Sequence, residues 1–167
     1  AGQGTMELEI LEDQPDLNVV VVAIGGGGMI SGIATAVKNI KPEIQVIGMD
    51  PAGASRYTCS REAGQPIKLD EVNTIADGTR TDAAHPQNFR IIEKYVDHLV
   101  TIEDDWIKKA MKAVVANAKI VAEPSSVMGI GAALAGTLPV NREDKVCFVL
   151  SGGNNDLTQL AEILNQS

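Results

Sequence analysis

The residues whose types and spacing point to chemistry are four consecutive glycines, Gly25-Gly26-Gly27-Gly28, and a second small-residue loop, Ser151-Gly152-Gly153-Asn154. The glycines follow the apolar run Val19-Val20-Val21-Val22-Ala23-Ile24 and precede a helical pattern. They bring no side chain. Their use is conformational, because glycine reaches positive φ and lets another group approach the backbone. Successive bare N–H groups at a helix start form a concavity for anions, helped by the helix dipole. A phosphate is expected there; the alternative is a flexible connection that binds nothing. Ser151 would point its hydroxyl into the same crevice, with Asn154 or Asn155 capping the next helix. Spacing also leaves a dinucleotide site open. The strict G-x-G-x-x-G pattern fails, but Gly26-x-Gly28-x-x-x-Gly32 fits a looser form, and Asp50 stands where a ribose-binding acid would lie. Asp50 is equally a turn or capping residue before Pro51. Asp77 and Glu123 are candidate site acids or ordinary turn acids. His85 and His98 lack partners in sequence and read as surface residues. Ser125-Ser126 has no His or Asp placed for a nucleophile triad.

Elements must hold these loops at one end of a sheet. Val19 to Ile24 is short, β-branched and unalternated, the pattern of a strand buried on both faces. A helix over about Ile30 to Asn39 carries small residues that let it lie close on a sheet. Ile44 to Met49 is a second apolar strand, so strand, helix and strand make a βαβ unit. Before it, Gly2 to Glu12 reads as a helix with Met6, Ile10 and Leu11 on one face and Glu7, Glu9 and Glu12 towards water. After it, Ala54 to Ala63 reads as a short helix, Ile67 to Pro86 as polar and irregular, and Gln87 to Tyr95 as a helix. Val96 to Ile102 reads as a strand, followed by a helix opened by Glu103-Asp104-Asp105, whose acids suit its first turn. Glu123-Pro124 opens another helix, with Gly129, Gly131 and Ala132 as a close-packing face. Val146 to Leu150 reads as a buried strand, followed by a last helix to about Asn165. The predicted fold is α/β, a doubly wound and mostly parallel sheet. Ligands of such sheets sit beyond the carboxyl ends of the strands, where both small-residue loops lie.

Composition narrows the function. The 167 residues fit one domain with a real core. A net charge of −8 and 3% aromatic residues argue against a nucleic-acid surface. No apolar run reaches the roughly 20 residues that span a bilayer, and the start has neither the basic end nor the apolar stretch of a signal peptide. Cys59 and Cys147 form no metal-spaced pair and read as reduced thiols of a cytoplasmic protein.

In order and spacing, five stretches resemble one family: Ala1-Gly2-Gln3-Gly4-Thr5, the four glycines with Met29-Ile30-Ser31-Gly32, Ile75-Ala76-Asp77-Gly78, Ala122-Glu123-Pro124 and Leu150-Ser151-Gly152-Gly153-Asn154. It is the fold-type II pyridoxal-phosphate enzymes, in the branch of serine/threonine dehydratases (threonine ammonia-lyases) and serine racemases. The resemblance covers nearly the whole chain and displaces the dinucleotide reading. It implies pyridoxal 5'-phosphate as cofactor, with the backbone N–H groups of Gly25, Gly26, Gly27, Gly28 and Met29 on its phosphate. Ser151 would hydrogen-bond the pyridine nitrogen, Gly78 would lie beside the imine and Glu123 near the ring edge. A neutral hydroxyl partner leaves the ring a weaker electron sink, which suits β-elimination. The implied reaction takes the α-proton and β-hydroxyl from threonine or serine and releases ammonia and a 2-oxo acid; racemisation shares the first step.

Departures from the family are as informative. Its Schiff-base lysine sits in an N-terminal segment resembling Ser-Phe-Lys-x-Arg-Gly, and an Asn-containing loop precedes this region too; neither occurs here. Residues 1–167 therefore resemble a single incomplete cofactor-binding domain, the C-terminal half of an enzyme, with no catalytic nucleophile and no activity expected alone. Exposed apolar surface and open sheet edges should follow unless the missing half or another copy covers them. The family's metal site joins an acid, a carbonyl and a second acid. Asp50 and Ala54 match the first two, but Arg56 takes the third place, so no metal is expected. Ser126 stands where the family usually has glycine. The chain ends at Ser167 with no regulatory domain, which leans towards catabolic or racemase-like members. The alternative from another class is a phosphate- or dinucleotide-binding module without catalysis.

Overall fold

β1 (Val19–Ala23) is buried along its whole length, as its unbroken β-branched run requires. In the computed structural model, which describes residues 2–165, alternate β1 side chains serve opposite cores. Val20 and Val22 pack with α1 (Thr5–Asp13), α2 (Gly28–Ile40) and α4 (Pro86–Tyr95) through Leu11, Ile33, Val37 and Ile92. Val19 and Val21 pack with α5 (Asp104–Ala113), α6 (Met128–Ala135) and α7 (Leu157–Asn165) through Ile107, Met111, Met128 and Ile163. Fully burying a side chain of this kind contributes about 1.5–3 kcal/mol, so β1 is the element both layers depend on.

The sheet has four parallel strands in the order β3-β2-β1-β4, with β2 (Gln45–Pro51), β3 (His98–Ile102) and β4 (Val146–Phe148). The chain runs outwards from β1 through β2 to β3 and then returns to the other side of β1. The point where the strand order reverses therefore lies between β1 and β4, where sheets of this kind open a crevice. Val19 pairs with both Gln45 and Val146, so the ends of β1 and β4 are in step.

The close-packing face of α6 is as the small residues imply. A Cβ on Gly129 would come 2.7 Å from Val21 Cγ1, and one on Gly131 3.0 Å from the Trp106 carbonyl oxygen. α3 (Arg56–Ala63) ends at Gly64, whose φ is +67°. Four expectations need correction. The first helix starts at Thr5 after a turn of 3₁₀ helix, and Glu7 does not face water: it is 0% exposed, and both carboxylate oxygens lack a partner. Glu7 precedes Leu11 by one helical turn, so a helix that buries Leu11 buries Glu7 as well. β4 is a half-buried edge of three residues, not a buried strand to Leu150. The cap of α7 is Asp156, whose Oδ1 accepts from Gln159 N at 2.8 Å, rather than Asn154 or Asn155. Ala1 of the first motif and Ser167 lie outside the described residues.

Candidate functional site

The glycine loop joins the end of β1 to the start of α2, and its carbonyls are all taken from behind. Arg56 Nη2 donates to Ile24 O at 2.9 Å and also to Gly25 O. Tyr57 Oη and Asn88 Nδ2 donate to Gly26 O at 2.8 and 2.7 Å. Gly27 O accepts Ser31 N at 3.1 Å and so starts the helix. A trans peptide points its C=O and N–H in opposite directions. Carbonyls drawn inward at Ile24, Gly25 and Gly26 therefore turn the N–H groups of Gly25, Gly26 and Gly27 outward. Among the described residues, no acceptor takes the N–H of Gly25, Gly26, Gly27, Gly28 or Met29. Gly27 must be glycine: its φ is +85°, and a Cβ there would fall 2.4 Å from Tyr57 Oη. Five free donors at the head of a 13-residue helix form a concavity for an anion.

Three further segments meet this loop. A Cβ on Gly25 would lie 2.7 Å from Gly78 O, and one on Gly78 would lie 3.0 Å from Glu123 Oε1 and 2.9 Å from Ser125 Oγ. A Cβ on Gly152 would lie 2.8 Å from the Glu123 carboxyl. Gly25, Gly78, Glu123 and Gly152 are thus consecutive neighbours, although they span most of the sequence. The Gly78 turn is held by Asp104, whose carboxylate accepts from Thr74 Oγ1 at 2.6 Å and Ile75 N at 2.9 Å. That acid, expected only to favour its own helix start, also ties down the site loop.

Ser126, where glycine was expected, holds the other side. Its Oγ accepts from Gly152 N at 2.8 Å and donates to Gly152 O at 3.0 Å, and it lies 3.5 Å from Ser151 Oγ. Glu123 N also donates to Gly152 O at 3.0 Å. Ser151 itself is exposed. Ser125 Oγ is buried without a partner and lines a cleft with Gly78, Glu123 and Asn154. An orphaned hydroxyl there fits a polar ligand, and spacing alone gave no sign of it. Met29 is half-buried against the core, so only its backbone is offered to the loop. Asp77 is exposed at the edge of the same cleft and pairs with Arg80. His85 and His98 are exposed. A larger groove of about 620 Å³ lies between α2 and α4 and is lined by Leu8, Ser31 and Ile91. It touches the glycine loop at Gly28 and shares no lining residue with the cleft of Gly78 and Glu123.

Asp50 is fully buried and turned inward, not towards a ribose. Its Oδ2 caps α3, accepting from Tyr57 N at 3.0 Å and Thr58 N at 2.9 Å. Burial pushes its carboxyl up to about 6, against the lowering pull of Thr58, Arg56 and Tyr57. Arg56 Nη1 lies 3.8 Å from Asp50 Oδ1 and donates to Ala54 O at 3.0 Å. The guanidinium therefore fills the space between the Asp50 carboxylate and the Ala54 carbonyl, the two groups that match the resembled family's metal set. A second cation beside it would meet like charge, so these residues do not fit a metal ion.

Comparison with known proteins adds an independent line. The family described as pyridoxal-phosphate dependent enzyme matches residues 1–152. L-threonine ammonia-lyase of Thermotoga maritima is 39% identical over 99% of this chain and 41% of its own length. Serine racemase of Arabidopsis thaliana is 40% identical over 100% of this chain and 51% of its own length. A solved threonine deaminase, the processed form of isoform 2 from Solanum lycopersicum, superposes with a TM-score of 0.90 at 32% identity, over 97% of this chain and 48% of that one. The chain spans about half the length of the curated relatives it matches.

Proposed function

The chain belongs to the pyridoxal-phosphate dependent enzyme family, and on that premise we propose that it is the cofactor-holding part of a hydroxy-amino-acid ammonia-lyase or racemase. The observation that carries the reading is the loop of five free N–H groups beside an orphaned serine hydroxyl and the exposed Ser151. Gly25, Gly26, Gly27, Gly28 and Met29 would hold the cofactor phosphate, Ser151 would meet the ring nitrogen, and Gly78 and Glu123 would border the ring. These residues fit the group: an anion cradle at a helix start, a neutral hydroxyl and a polar cleft. When bound, pyridoxal phosphate supplies an electron sink for the bond to the α-hydrogen of an amino acid. A hydroxyl opposite the ring nitrogen carries no charge, which favours loss of a β-substituent over chemistry that needs a protonated ring.

Among the described residues, no lysine lines the cleft. The group that anchors the cofactor and the residues that recognise threonine or serine would come from a segment outside this sequence, in keeping with the length of the relatives. Leu157 at 78% exposure and Val121 at 52% mark apolar surface beside the cleft that such a segment, or a second copy, would cover.

Equilibrium dialysis with pyridoxal phosphate tests the reading, with Gly27→Asp and Ser151→Ala as controls and borohydride reduction followed by peptide mapping. Saturable binding lost in Gly27→Asp, with no single trapped lysine, is the expected result. A unique trapped lysine would put the anchor inside this chain, and binding untouched by Gly27→Asp would remove the glycine loop from the site.

A further inference from the structure

Arg56 is an unusual residue to find at 0% exposure. Its four Nη hydrogens are used up. Nη1 donates to Ala54 O at 3.0 Å and Thr79 O at 3.1 Å, and Nη2 donates to Ile24 O at 2.9 Å and to Gly25 O. These carbonyls come from the end of β1, the segment after β2 and the turn that carries Gly78. The nearest counter-charge is Asp50, at 3.8 Å, with a weaker contribution from Asp82. Oxygen atoms converging from separate segments on one positive centre are what a hard cation would gather. Here a side chain provides the centre. A planar fork with fixed hydrogens can bind four carbonyls in set directions, which a point charge cannot do.

We propose that Arg56 is a positioning residue that serves as a built-in cation. By drawing the carbonyls of Ile24 and Gly25 inward it aims the N–H groups of Gly25 and Gly26 at the anion, and so makes the loop independent of any divalent metal ion. The anion part of this inference rests on the functional reading above; the setting of the loop by Arg56 does not. Burying a guanidinium for stability alone is poorly rewarded, since an apolar residue of similar volume often does as well. What an apolar residue cannot do is orient peptide planes. Tyr57 and Asn88 repeat the arrangement at Gly26, so the same face of the loop is held by three side chains.

The test measures ¹⁵N order parameters of Gly25 to Met29 in the 167-residue chain without ligand, then titrates inorganic phosphate. Wild type should hold these residues near about 0.85, and Arg56→Gln should bring Gly25 and Gly26 below about 0.6 while Val20 to Val22 stay rigid. Phosphate affinity should fall about tenfold or more in Arg56→Gln. Arg56→Lys keeps the charge and loses the fork, so it should fold and still loosen the loop. EDTA, Mg²⁺ and Ca²⁺ should leave the wild-type order parameters and phosphate affinity unchanged. An ordered loop in both variants, or a wild-type loop that needs a divalent cation, would overturn the proposal. Loosening in both variants with no phosphate binding by wild type would uphold the setting of the loop by Arg56 and remove the anion reading.

Discussion

The two loops of the site follow neighbouring strands of one sheet, yet they are built in different ways. The loop after β1 leaves a strand buried on both faces, and buried Arg56 and Tyr57 clasp its carbonyls. The loop after β4 leaves a half-buried edge strand of three residues and is held by the backbone N–H of Glu123 and by one hydroxyl, that of Ser126. A phosphate needs donors fixed in advance, and a core can fix them. A ring contact needs a hydroxyl at the surface of the cleft, where little of the core reaches. On the proposed reading, the chain would carry a finished anion site and a lightly supported ring site.

The sharpest way to break this contrast is Gly27→Asp. A left-handed backbone without glycine, together with a clash at Tyr57, should cost about 3 kcal/mol or more, read as a lower urea midpoint. Ser151→Ala in the other loop should change stability by less than about 0.5 kcal/mol. Equal losses in the two variants would end the distinction.

The β4 side also carries a buried acid. Glu7 faces Cys147 of the edge strand, burial pushes its carboxyl up from 4.5 to about 7, and burial together with Glu7 pushes the thiol up. The folded state then holds a proton that the unfolded state has already released. Through Glu7, stability should therefore fall as pH rises from about 4.5 to 7 and level off above, by roughly 3 kcal/mol, on top of the fall that buried Asp50, raised from 3.8 to about 6, gives at the lower end of that range. Denaturant melts at several pH values should show Glu7→Gln with a smaller fall than wild type, the difference extending up to about pH 7, and more stable than wild type at pH 8.

Smaller effects separate the two loops further. Tyr57→Phe removes the donor to Gly26 O and the acceptor for His85 N, and should cost about 1–2 kcal/mol in urea unfolding. Ser126→Ala frees the Gly152 N–H and leaves Gly152 O to Glu123 N alone, and should cost about 1 kcal/mol, because nearby water can replace the lost partner. Its clearer readout is weaker pyridoxal-phosphate binding with inorganic phosphate binding unchanged.

Much of this was legible in the sequence. The unalternated valines of β1, the glycines after them and the small residues of α6 each have one physical use, and each sits where that use requires. The order of the strands was not legible, since only the return of β4 beside β1 puts Ser151 next to the glycine loop. Nor was the clasp: Arg56, Tyr57 and Asn88 act on carbonyls about 30 or 60 residues away, and spacing carries no trace of that. Ser126 stood out as a departure, but its bonds to Gly152 depend on a contact across the cleft. Glu7 could have been anticipated, because Leu11 lies one turn further along the same face.

The most direct measurement of the central claim is the change in ¹H–¹⁵N amide shifts when pyridoxal phosphate is added to the chain. The account predicts the largest shifts at Gly25 to Met29, with smaller ones at Gly78 and Ser151, and the same glycine-loop shifts with inorganic phosphate alone. Shifts centred instead on the groove of Leu8, Ser31 and Ile91, with the glycine amides unmoved, would contradict it.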